Sequence, residues 1–424
     1  MNRKIKVFDL FSGAGGMSEG FLQAGFHVQC ATDYSKEASL TYTNRHKQLG
    51  YNVNFHCGDI RELFYKKKLL DELLDNKDID VVVGGPPCQG FSLTGKREKN
   101  DARNELFLEY LKAVQYIKPK YFVMENVEGL LSYKFEEIKG LDGEIYTNVF
   151  PQNVILNEAW KLGYFVKFEM LNSKDYGVPQ NRERVIFLGH KICNFRGGKY
   201  RNTVVPPEFP KQQKNLVSVE DAISDLKFLK NGEIRTAYDN RFGNKSDYQL
   251  NLRNGLTPSA FGYPIKTDIL YNHQASKHLE KTVNRFKLLN SGESVTQLLS
   301  RLTDDLRLEV LTKKYRCQKL DKNNVSPTVL TLPDDIIHYD KSNPRILSVR
   351  ELARIQSFDD SFQFFGKRTT GGVRRKYETP QYTQVGNAVP PLFARAIADE
   401  IKKAILKTEN QIKGDSNVQS GIEV

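Results

Sequence analysis

Short apolar runs alternate with amphipathic segments along the first 190 residues of the chain. The apolar runs have the length of strands and comprise residues 5–11, 28–32, 53–57, 81–83, 121–127, 164–171 and 185–189. Segments with helical spacing of apolar positions follow several of them, at 17–24, 63–74 and 104–117. This alternation predicts an α/β fold with a doubly wound, mostly parallel sheet. Such sheets bind ligands at the carboxyl ends of their strands.

The pattern changes near residue 195, where regular periodicity gives way to short segments and turn residues. We predict that residues 1–194 form the first part of a Rossmann-like domain, and that residues 195–330 form a smaller, irregular domain. Residues 331–406 would return to the first domain and end in an amphipathic helix. The polar residues 407–424 are expected to lack stable structure.

Positive charge is concentrated in the irregular segment. The chain carries a formal net charge of +12, and residues 191–330 contain 24 Lys and Arg against 14 Asp and Glu. A charge excess is often no more than a solvated surface. Its concentration in the segment with the least regular pattern favours a surface that binds a polyanion, either DNA or RNA.

The cysteines and the apolar runs indicate the compartment. No Cys-x-x-Cys pair occurs among the five cysteines, so neither a disulfide framework nor a zinc site is indicated. No apolar run approaches the length of a membrane span, and Met1-Asn2-Arg3-Lys4 leads into a strand rather than a signal peptide. We therefore expect a cytoplasmic protein with no membrane partner.

Candidate chemistry lies where three apolar strands begin or end. Cys88 follows Val81-Val82-Val83-Gly84-Gly85-Pro86-Pro87, in which glycines and prolines stop the strand and fix a tight turn. A lone cysteine is usually a buried apolar residue, but the rigid Pro-Pro pair favours a reactive thiol. Glu125 ends a second strand, while Arg182 and Arg184 precede a third. A thiol, a carboxylic acid and a guanidinium at neighbouring strand ends are suited to attack on an electron-poor ring.

Five blocks of the sequence, in their order and spacing, resemble the DNA (cytosine-5) methyltransferases. They are Phe8-Asp9-Leu10-Phe11-Ser12-Gly13-Ala14-Gly15-Gly16, Pro86-Pro87-Cys88-Gln89, Glu125-Asn126-Val127, Gln180-Asn181-Arg182-Glu183-Arg184 and Gly386-Asn387-Ala388-Val389-Pro390-Pro391. The resemblance covers nearly the whole chain and omits residues 195–325 and the tail. It implies that the irregular domain recognises the target and that the remainder is catalytic.

The resemblance implies methyl transfer to C5 of a cytosine within a specific double-stranded DNA sequence. Cys88 would add to C6 as the nucleophile, and Glu125 would bind N3 and the exocyclic amine. Arg184 would hold O2 of the base, while Arg182 would brace the loop or Glu125. The main-chain carbonyl of Pro86 would accept from the exocyclic amine.

S-adenosyl-L-methionine is the cofactor that the resemblance implies. The glycine loop opens main-chain amides toward a ligand at a helix N-terminus, although such a loop alone is weak evidence. Asp33 and Asp59 follow the next two strands, at positions suited to ribose hydroxyls and the adenine amino group. The expected cofactor-binding residues are Phe11, Ser12, Gly13, Ala14, Gly15, Gly16, Asp33, Asp59, Ile60, Pro87, Asn387 and Val389.

Methyltransferases flip the base that they modify out of the duplex, so the same step is expected here. The loop 89–103 directly follows Cys88 and is rich in cations, which predicts that it closes over the DNA. The alternative is an ordinary surface loop. Its candidate DNA-binding residues are Gln89, Ser92, Arg97 and Arg103.

Two alternative functions come from other classes. One branch of the family modifies tRNA, but it carries a Cys-Phe-Thr tripeptide that this chain lacks. A DNA-binding regulator without catalysis is disfavoured, because the candidate catalytic and cofactor residues are all present. A compact catalytic domain with one recognition segment and no accessory modules resembles the bacterial restriction–modification enzymes. This resemblance implies a cognate restriction endonuclease as a functional partner. Whether a second methyltransferase subunit takes part is left open by the sequence.

Overall fold

An eight-stranded sheet forms the centre of the computed structural model. The structure describes residues 3–419 except 66, 76–77, 88–101, 195–199, 243–245, 313, 315–316, 373 and 375–376. The side chains of residues 67, 102, 194 and 413–419 also lie outside the described set. Five strands pair in parallel in the order β3-β2-β1-β4-β5: β1 (Lys6–Leu10), β2 (His27–Asp33), β3 (Asn54–Cys57), β4 (Val81–Gly84) and β5 (Tyr121–Asn126). A separate hairpin contains β6 (Phe135–Lys139) and β7 (Ile145–Val149). Beyond β5, β9 (Glu183–Asn194) adds antiparallel and pairs in turn with β8 (Tyr164–Asn172) and β10 (Tyr200–Asn202).

Helices cover both faces of this sheet, which confirms the predicted doubly wound α/β fold. Those of the first half are α1 (Gly16–Gln23), α2 (Lys36–Gln48), α3 (Glu62–Tyr65), α4 (Lys67–Leu74), α5 (Leu106–Ile117), α6 (Gly129–Ser132) and α7 (Pro151–Lys161). The helix predicted at 63–74 corresponds to α3 and α4, which lie on either side of residue 66, a residue outside the described set. The second half contains α8 (Val219–Ile223), α9 (Asp247–Asn254), α10 (Glu280–Leu288), α11 (Val295–Arg301), α12 (Asp304–Val310), the short strands β11 (Gln318–Lys319) and β12 (Ile336–Ile337), α13 (Val349–Ile355), α14 (Gln381–Asn387) and α15 (Pro391–Gln419).

Alternate strand residues enter two cores because successive side chains point to opposite faces. Phe8 and Leu10 pack on one face with α5 and α7. Val7 packs on the other face with α1 and α15, whose Phe21 and Phe393 are fully buried. The sheet is thereby fixed between helices on both sides, and its carboxyl edge is left to carry the polar side chains.

The irregular segment has its own apolar clusters, and these extend past residue 330. Residues of α8 pack with α13 and α14, while α10 and α11 pack with Ile337 and Ile346. Buried charges join the same parts, because Arg354 lies 2.5 Å from Asp225 and 2.6 Å from Asp360. The packing has no break at residue 330, and the boundary placed there stays a prediction.

The last helix is longer than its apolar pattern predicted. α15 continues to Gln419, so residues 407–419 are helical rather than without structure. Thr408 anchors the extension, since its hydroxyl donates to the Ala404 carbonyl and accepts from the main-chain N–H of Val205 at 2.8 Å. Among the described residues, no helix is long and apolar enough to cross a membrane.

Candidate active site

A strained glycine loop connects β1 to α1 and is tied to the end of β2. Phe11, Gly13 and Gly15 all have positive φ, at 55°, 55° and 99°. The main-chain N–H of Ser12 donates to the Thr32 carbonyl at 3.0 Å. The loop therefore holds its amides at the N-terminus of α1 and beside the carboxyl end of β2.

Gly16 lies where no side chain fits. A Cβ at this position would lie 2.1 Å from the carbonyl oxygen of Val389, which is two residues before the start of α15 at Pro391. A methyl group there would displace main chain rather than a flexible side chain. The glycine therefore allows the start of α1 to pack closely against the segment that precedes α15.

Two carboxylates follow the neighbouring strands. Asp33 accepts at Oδ2 from the main-chain N–H of Gly13 and at Oδ1 from that of Ser35, both at 2.8 Å. Burial raises the pKa of Asp33, and these two hydrogen bonds oppose the rise. Asp59 is more open and accepts from the main-chain N–H of Arg61 at 2.9 Å.

A cavity of about 1010 Å³ runs along this edge of the sheet, from the glycine loop to the ends of β4 and β5. It is lined by Phe11, Ser12, Gly13, Ala14, Gly16, Asp33, Asp59, Ile60, Pro87, Asn387 and Val389, which are the expected cofactor-binding residues except Gly15. Gly15 instead faces Tyr42, whose ring would lie 2.9 Å from an added Cβ. Glu125, Arg182, Arg184 and Arg103 line the same cavity. Cys88, Gln89, Ser92 and Arg97 lie outside the described residues.

Glu125 and Arg184 form an ion pair at the carboxyl end of β5. Arg184 Nε lies 2.8 Å from Glu125 Oε1, and both side chains are nearly buried, at 13% and 12% exposure. A Cβ on Gly85 would lie 2.8 Å from Glu125 Oε2, so the glycine before the Pro-Pro turn makes room for this carboxylate. The pair is held between β4, β5 and β9.

Arg182 has a different environment from Arg184. Its guanidinium is buried and donates to the Val329 carbonyl at 3.2 Å and the Gly386 carbonyl at 3.0 Å. Burial lowers its pKa, and the neighbouring charge of Arg184 lowers it further. The hydrogen bonds of its side chain in the described structure go to main chain rather than to Glu125. Arg182 therefore positions the segments around residues 329 and 386.

The Pro86 carbonyl, expected to accept from the base, has a partner within the protein. Asn126 Nδ2 donates to it at 3.3 Å, while Asn126 Oδ1 accepts from the main-chain N–H of Val127 at 2.8 Å. A carbonyl oxygen has two lone pairs, so this long hydrogen bond leaves room for another donor.

The structure also places residues at the cavity that the sequence analysis did not select. They are Asp9, Tyr34, Gln384, Thr379 and Leu330 to Leu332, among others. Tyr34 is 79% exposed and directly follows Asp33, so an aromatic residue after a strand-end carboxylate was an available signal. Leu330 to Leu332 had no such signal, because they enter the cavity from the end of the segment assigned to target recognition.

The sequence pattern of the family described as C-5 cytosine-specific DNA methylase matches residues 5–403. The chain belongs to this family. It is 34% identical to the type II methyltransferase M.DdeI of Desulfomicrobium norvegicum over 407 residues, which cover 94% of this chain and 88% of that protein. It is 32% identical to the type II methyltransferase M1.HphI of Haemophilus parahaemolyticus, and the match covers 94% of this chain and 87% of that protein.

Solved structures agree with the fold. A crystal structure of a prophage-encoded E. coli protein, assigned as a DNA modification methyltransferase, has a TM-score of 0.66 at 24% identity and covers 95% of this chain and 99% of that one. The structure of the methyltransferase EhMeth of Entamoeba histolytica has a TM-score of 0.52 at 15% identity, and the match covers 94% of this chain and 99% of that one. At these identities the likeness concerns the fold alone.

This cytosine-5 methyltransferase transfers a methyl group from S-adenosyl-L-methionine to C5 of cytosine in DNA. The cavity suits that cofactor, because amides at a helix N-terminus lie beside buried carboxylates along one wall. The Glu125–Arg184 pair lies in the same cavity, at the carboxyl ends of the strands.

Proposed function

We propose that this cytosine-5 methyltransferase is the modification enzyme of a type II restriction–modification system. It methylates one cytosine within a specific duplex sequence and so protects DNA from a cognate endonuclease. Relatives named as type II methyltransferases, with 30% to 34% identity over at least 94% of this chain, support the assignment. The sequence that it recognises is read by residues of the irregular segment, where the charge excess lies.

The observation that carries the proposed mechanism is the Glu125–Arg184 pair beside Pro86 and Pro87 in one cavity. Cys88 follows Pro87 in the sequence, and the proposal is that its thiol reaches a base bound at Glu125. A cytosine in a duplex cannot reach this recess, so the base flips out of the helix first. The loop 89–103 then closes over the DNA.

In the proposed reaction, the Cys88 thiolate forms a bond to C6 while Glu125 gives a proton to N3. The electron pair of the former C5–C6 double bond makes C5 nucleophilic, and S-adenosyl-L-methionine supplies the methyl group that C5 takes. Glu125 recovers the N3 proton as the C5–methyl bond forms. A base then removes the C5 proton, the double bond re-forms and the thiolate leaves. Arg184 holds O2 of the base throughout.

A Cys88→Ser variant tests the nucleophile. It should retain binding of S-adenosyl-L-homocysteine and DNA but lose methylation, because an alkoxide is rarely available at neutral pH. The target site is first found by bisulfite sequencing of DNA from cells that express the chain, and duplexes with 5-fluorocytosine at that site are then prepared. The wild type should form a covalent adduct on these duplexes and Cys88→Ser should not.

Cys57→Ser is the matched control, since Cys57 is an exposed cysteine at the end of β3. It should methylate and form the adduct at wild-type rates. Turnover by Cys88→Ser would remove Cys88 from the nucleophile role. Methylation of tRNA but not of duplex DNA by the purified chain would overturn the choice of substrate. Activity only after addition of a second protein would show that another subunit is required.

A further inference from the structure

The segment 366–378, between α13 and α14, is basic and largely exposed. Its described residues include three cations against one acid: Lys367, Arg368 and Arg374 against Glu378. Both ends of the segment are fixed at the cavity, since Gln384 of the cavity wall donates from Nε2 to the carbonyls of Phe365 and Thr379, each at 2.9 Å. The cations of this segment therefore lie at the rim of the cavity.

Arg368 connects this segment to the irregular domain. Its Nη1 donates to the Ser276 hydroxyl at 2.8 Å. Lys277 is exposed and packs over Gly232, where an added Cβ would lie 3.5 Å from the Lys277 Cβ. Gly232 belongs to a turn that begins at Lys230, which is also exposed. These contacts join four cations into one basic strip from the cavity rim to the irregular domain: Arg374, Arg368, Lys277 and Lys230.

The acids beside the basic strip already accept hydrogen bonds from neighbouring groups. Glu378 accepts from Lys367 Nζ and from the Thr370 hydroxyl, both at 2.6 Å, and these hydrogen bonds lower its pKa. Glu233 accepts from the main-chain N–H of Lys230 at 3.0 Å and lies 3.4 Å from the Arg235 guanidinium. Within the described part of the chain, none of the four cations of the strip forms an ion pair. Their charges are therefore open to a polyanion.

We propose that the basic strip binds the phosphate backbone of the DNA that flanks the methylated cytosine. Duplex DNA carries one negative charge per about 1.7 Å of its axis, so a row of cations matches it. The strip joins the cavity rim to the domain proposed to read the target, and a duplex engaged by both would pass over it. Contacts to phosphates position the duplex without reading its sequence. The inference rests on the proposed role of the irregular segment.

A double variant, Lys277→Gln with Arg374→Gln, removes two of these charges without altering the cavity. Loss of two phosphate contacts should weaken binding of target and unrelated duplexes by the same factor, about tenfold or more at low salt. It should also make the slope of log affinity against log salt concentration less steep by about 2. The KM for DNA should rise, while kcat and the affinity for S-adenosyl-L-homocysteine stay at wild-type values. Fluorescence anisotropy over a range of salt concentrations and steady-state methylation provide the measurements.

Lys47→Gln with Lys407→Gln is the matched control, because it removes the same net charge from exposed lysines of α2 and α15. It should leave the salt dependence of DNA binding unchanged. An equal effect of the two double variants would assign the loss to net charge and overturn the proposal. A wild-type salt dependence in Lys277→Gln with Arg374→Gln would overturn it as well. Methylation of duplex DNA by the wild type, measured alongside, separates either result from a failure of the proposed function.

An Arg374→Lys variant distinguishes a phosphate contact from base reading. Lysine keeps the charge and binds phosphate as a point charge, whereas it does not reproduce a two-pronged contact of arginine with guanine. Arg374→Lys should therefore retain the wild-type salt dependence and the wild-type ratio of affinities for target and unrelated duplexes. A fall in that ratio, in this variant or in the double variant, would mean that the strip reads bases and would contradict the proposal.

Discussion

Glu125 and Arg184 are partners before any base arrives. Each side chain is nearly buried, and the 2.8 Å contact fixes the direction of both. Removing one member of such a pair leaves a charge without a partner in a poorly solvated site. The pair therefore contributes to the shape of the cavity at the end of β5, in addition to its role in the proposed proton transfer.

A Glu125→Gln variant is expected to lose turnover, by about 10²-fold to 10⁴-fold, because an amide cannot supply the proton to N3. Binding of S-adenosyl-L-homocysteine should stay within about twofold of the wild type, since Asp9, Asp33 and the glycine loop are unchanged. Single-turnover methylation and calorimetry provide the two measurements. Glu183→Gln is the control, because it makes the same change at an exposed residue near the pair, and it should leave turnover and S-adenosyl-L-homocysteine binding unchanged. Wild-type turnover by Glu125→Gln would assign ring protonation to another group.

The residues that the sequence predicted best are those whose position in a strand determines their environment. Glu125 is the penultimate residue of β5, and Asp33 ends β2, so their location at the carboxyl edge followed from the apolar pattern alone. Asp9 lines the cavity from within β1, and its hydrogen bonding depends on how α1 and α2 pack over that strand, so the local pattern did not select it. Arg182 has partners 147 and 204 residues away, which no local pattern specifies.

At the scale of elements, the approach of α1 to the start of α15 shapes the cavity. These two helices pack side by side on one face of the sheet, and Gly16 at the start of α1 faces the Val389 carbonyl two residues before α15. Gly20 makes a second close approach, since an added Cβ would lie 2.5 Å from the Pro391 carbonyl oxygen. Both glycines are required by the distance between main chains rather than by a turn.

A Gly16→Ala variant should therefore widen the gap between α1 and α15 and displace Asn387 and Val389 from the cavity. Overpacking of this kind costs about 1–3 kcal/mol of folding free energy, and cofactor affinity should fall with it. Urea unfolding and calorimetry with S-adenosyl-L-homocysteine measure the two effects. Gly371→Ala is the control, because nothing lies within 4 Å of an added Cβ there. Unchanged affinity in Gly16→Ala would mean that the C-terminal block moves freely over the pocket.

The strands and helices of the first 190 residues were predictable because each has a clear period of apolar residues. The tail was not, since residues 407–419 are polar and the pattern of α15 ends near residue 406. The contacts that extend this helix come from Val205 and Tyr121, whose main chain and hydroxyl reach Thr408. These contacts between residues far apart in the sequence stabilise helical turns of α15 that the local composition does not favour.

At the scale of the whole molecule, the segment proposed to recognise the target packs into one unit with a later stretch of sequence. α8 and α10 belong to the predicted recognition domain, whereas Ile337, Ile346 and α13 follow it, and all share apolar clusters. The buried Arg354 joins Asp225 to Asp360 across the same division. Under the proposed assignment, we expect an exchange of specificity between relatives to require both stretches.

Two chimeras with M.DdeI test this expectation. Exchange of residues 195–364 should give a folded enzyme that methylates the donor's site, because the shared clusters move as one. Exchange of residues 195–325 alone should lower the free energy of unfolding by about 3–5 kcal/mol. In this chimera, side chains of the donor would pack against Ile337, Ile346 and Arg354 of the host. Thermal unfolding and methylome sequencing compare the two. If the shorter exchange is as stable as the parent, the clusters are not a shared core. If the longer one still methylates the parental site, recognition lies elsewhere.

The contact between Gly16 and Val389 also sets the order in which the cofactor cavity is completed during synthesis. About 370 residues separate the glycine loop from Asn387 and Val389, which line the same cavity. A nascent chain that has not yet released these two residues from the ribosome has β1 and the glycine loop but lacks the opposite wall. We therefore expect the cofactor to bind only after residue 389 has emerged, and a chain truncated before residue 387 to bind it poorly even when its sheet has folded.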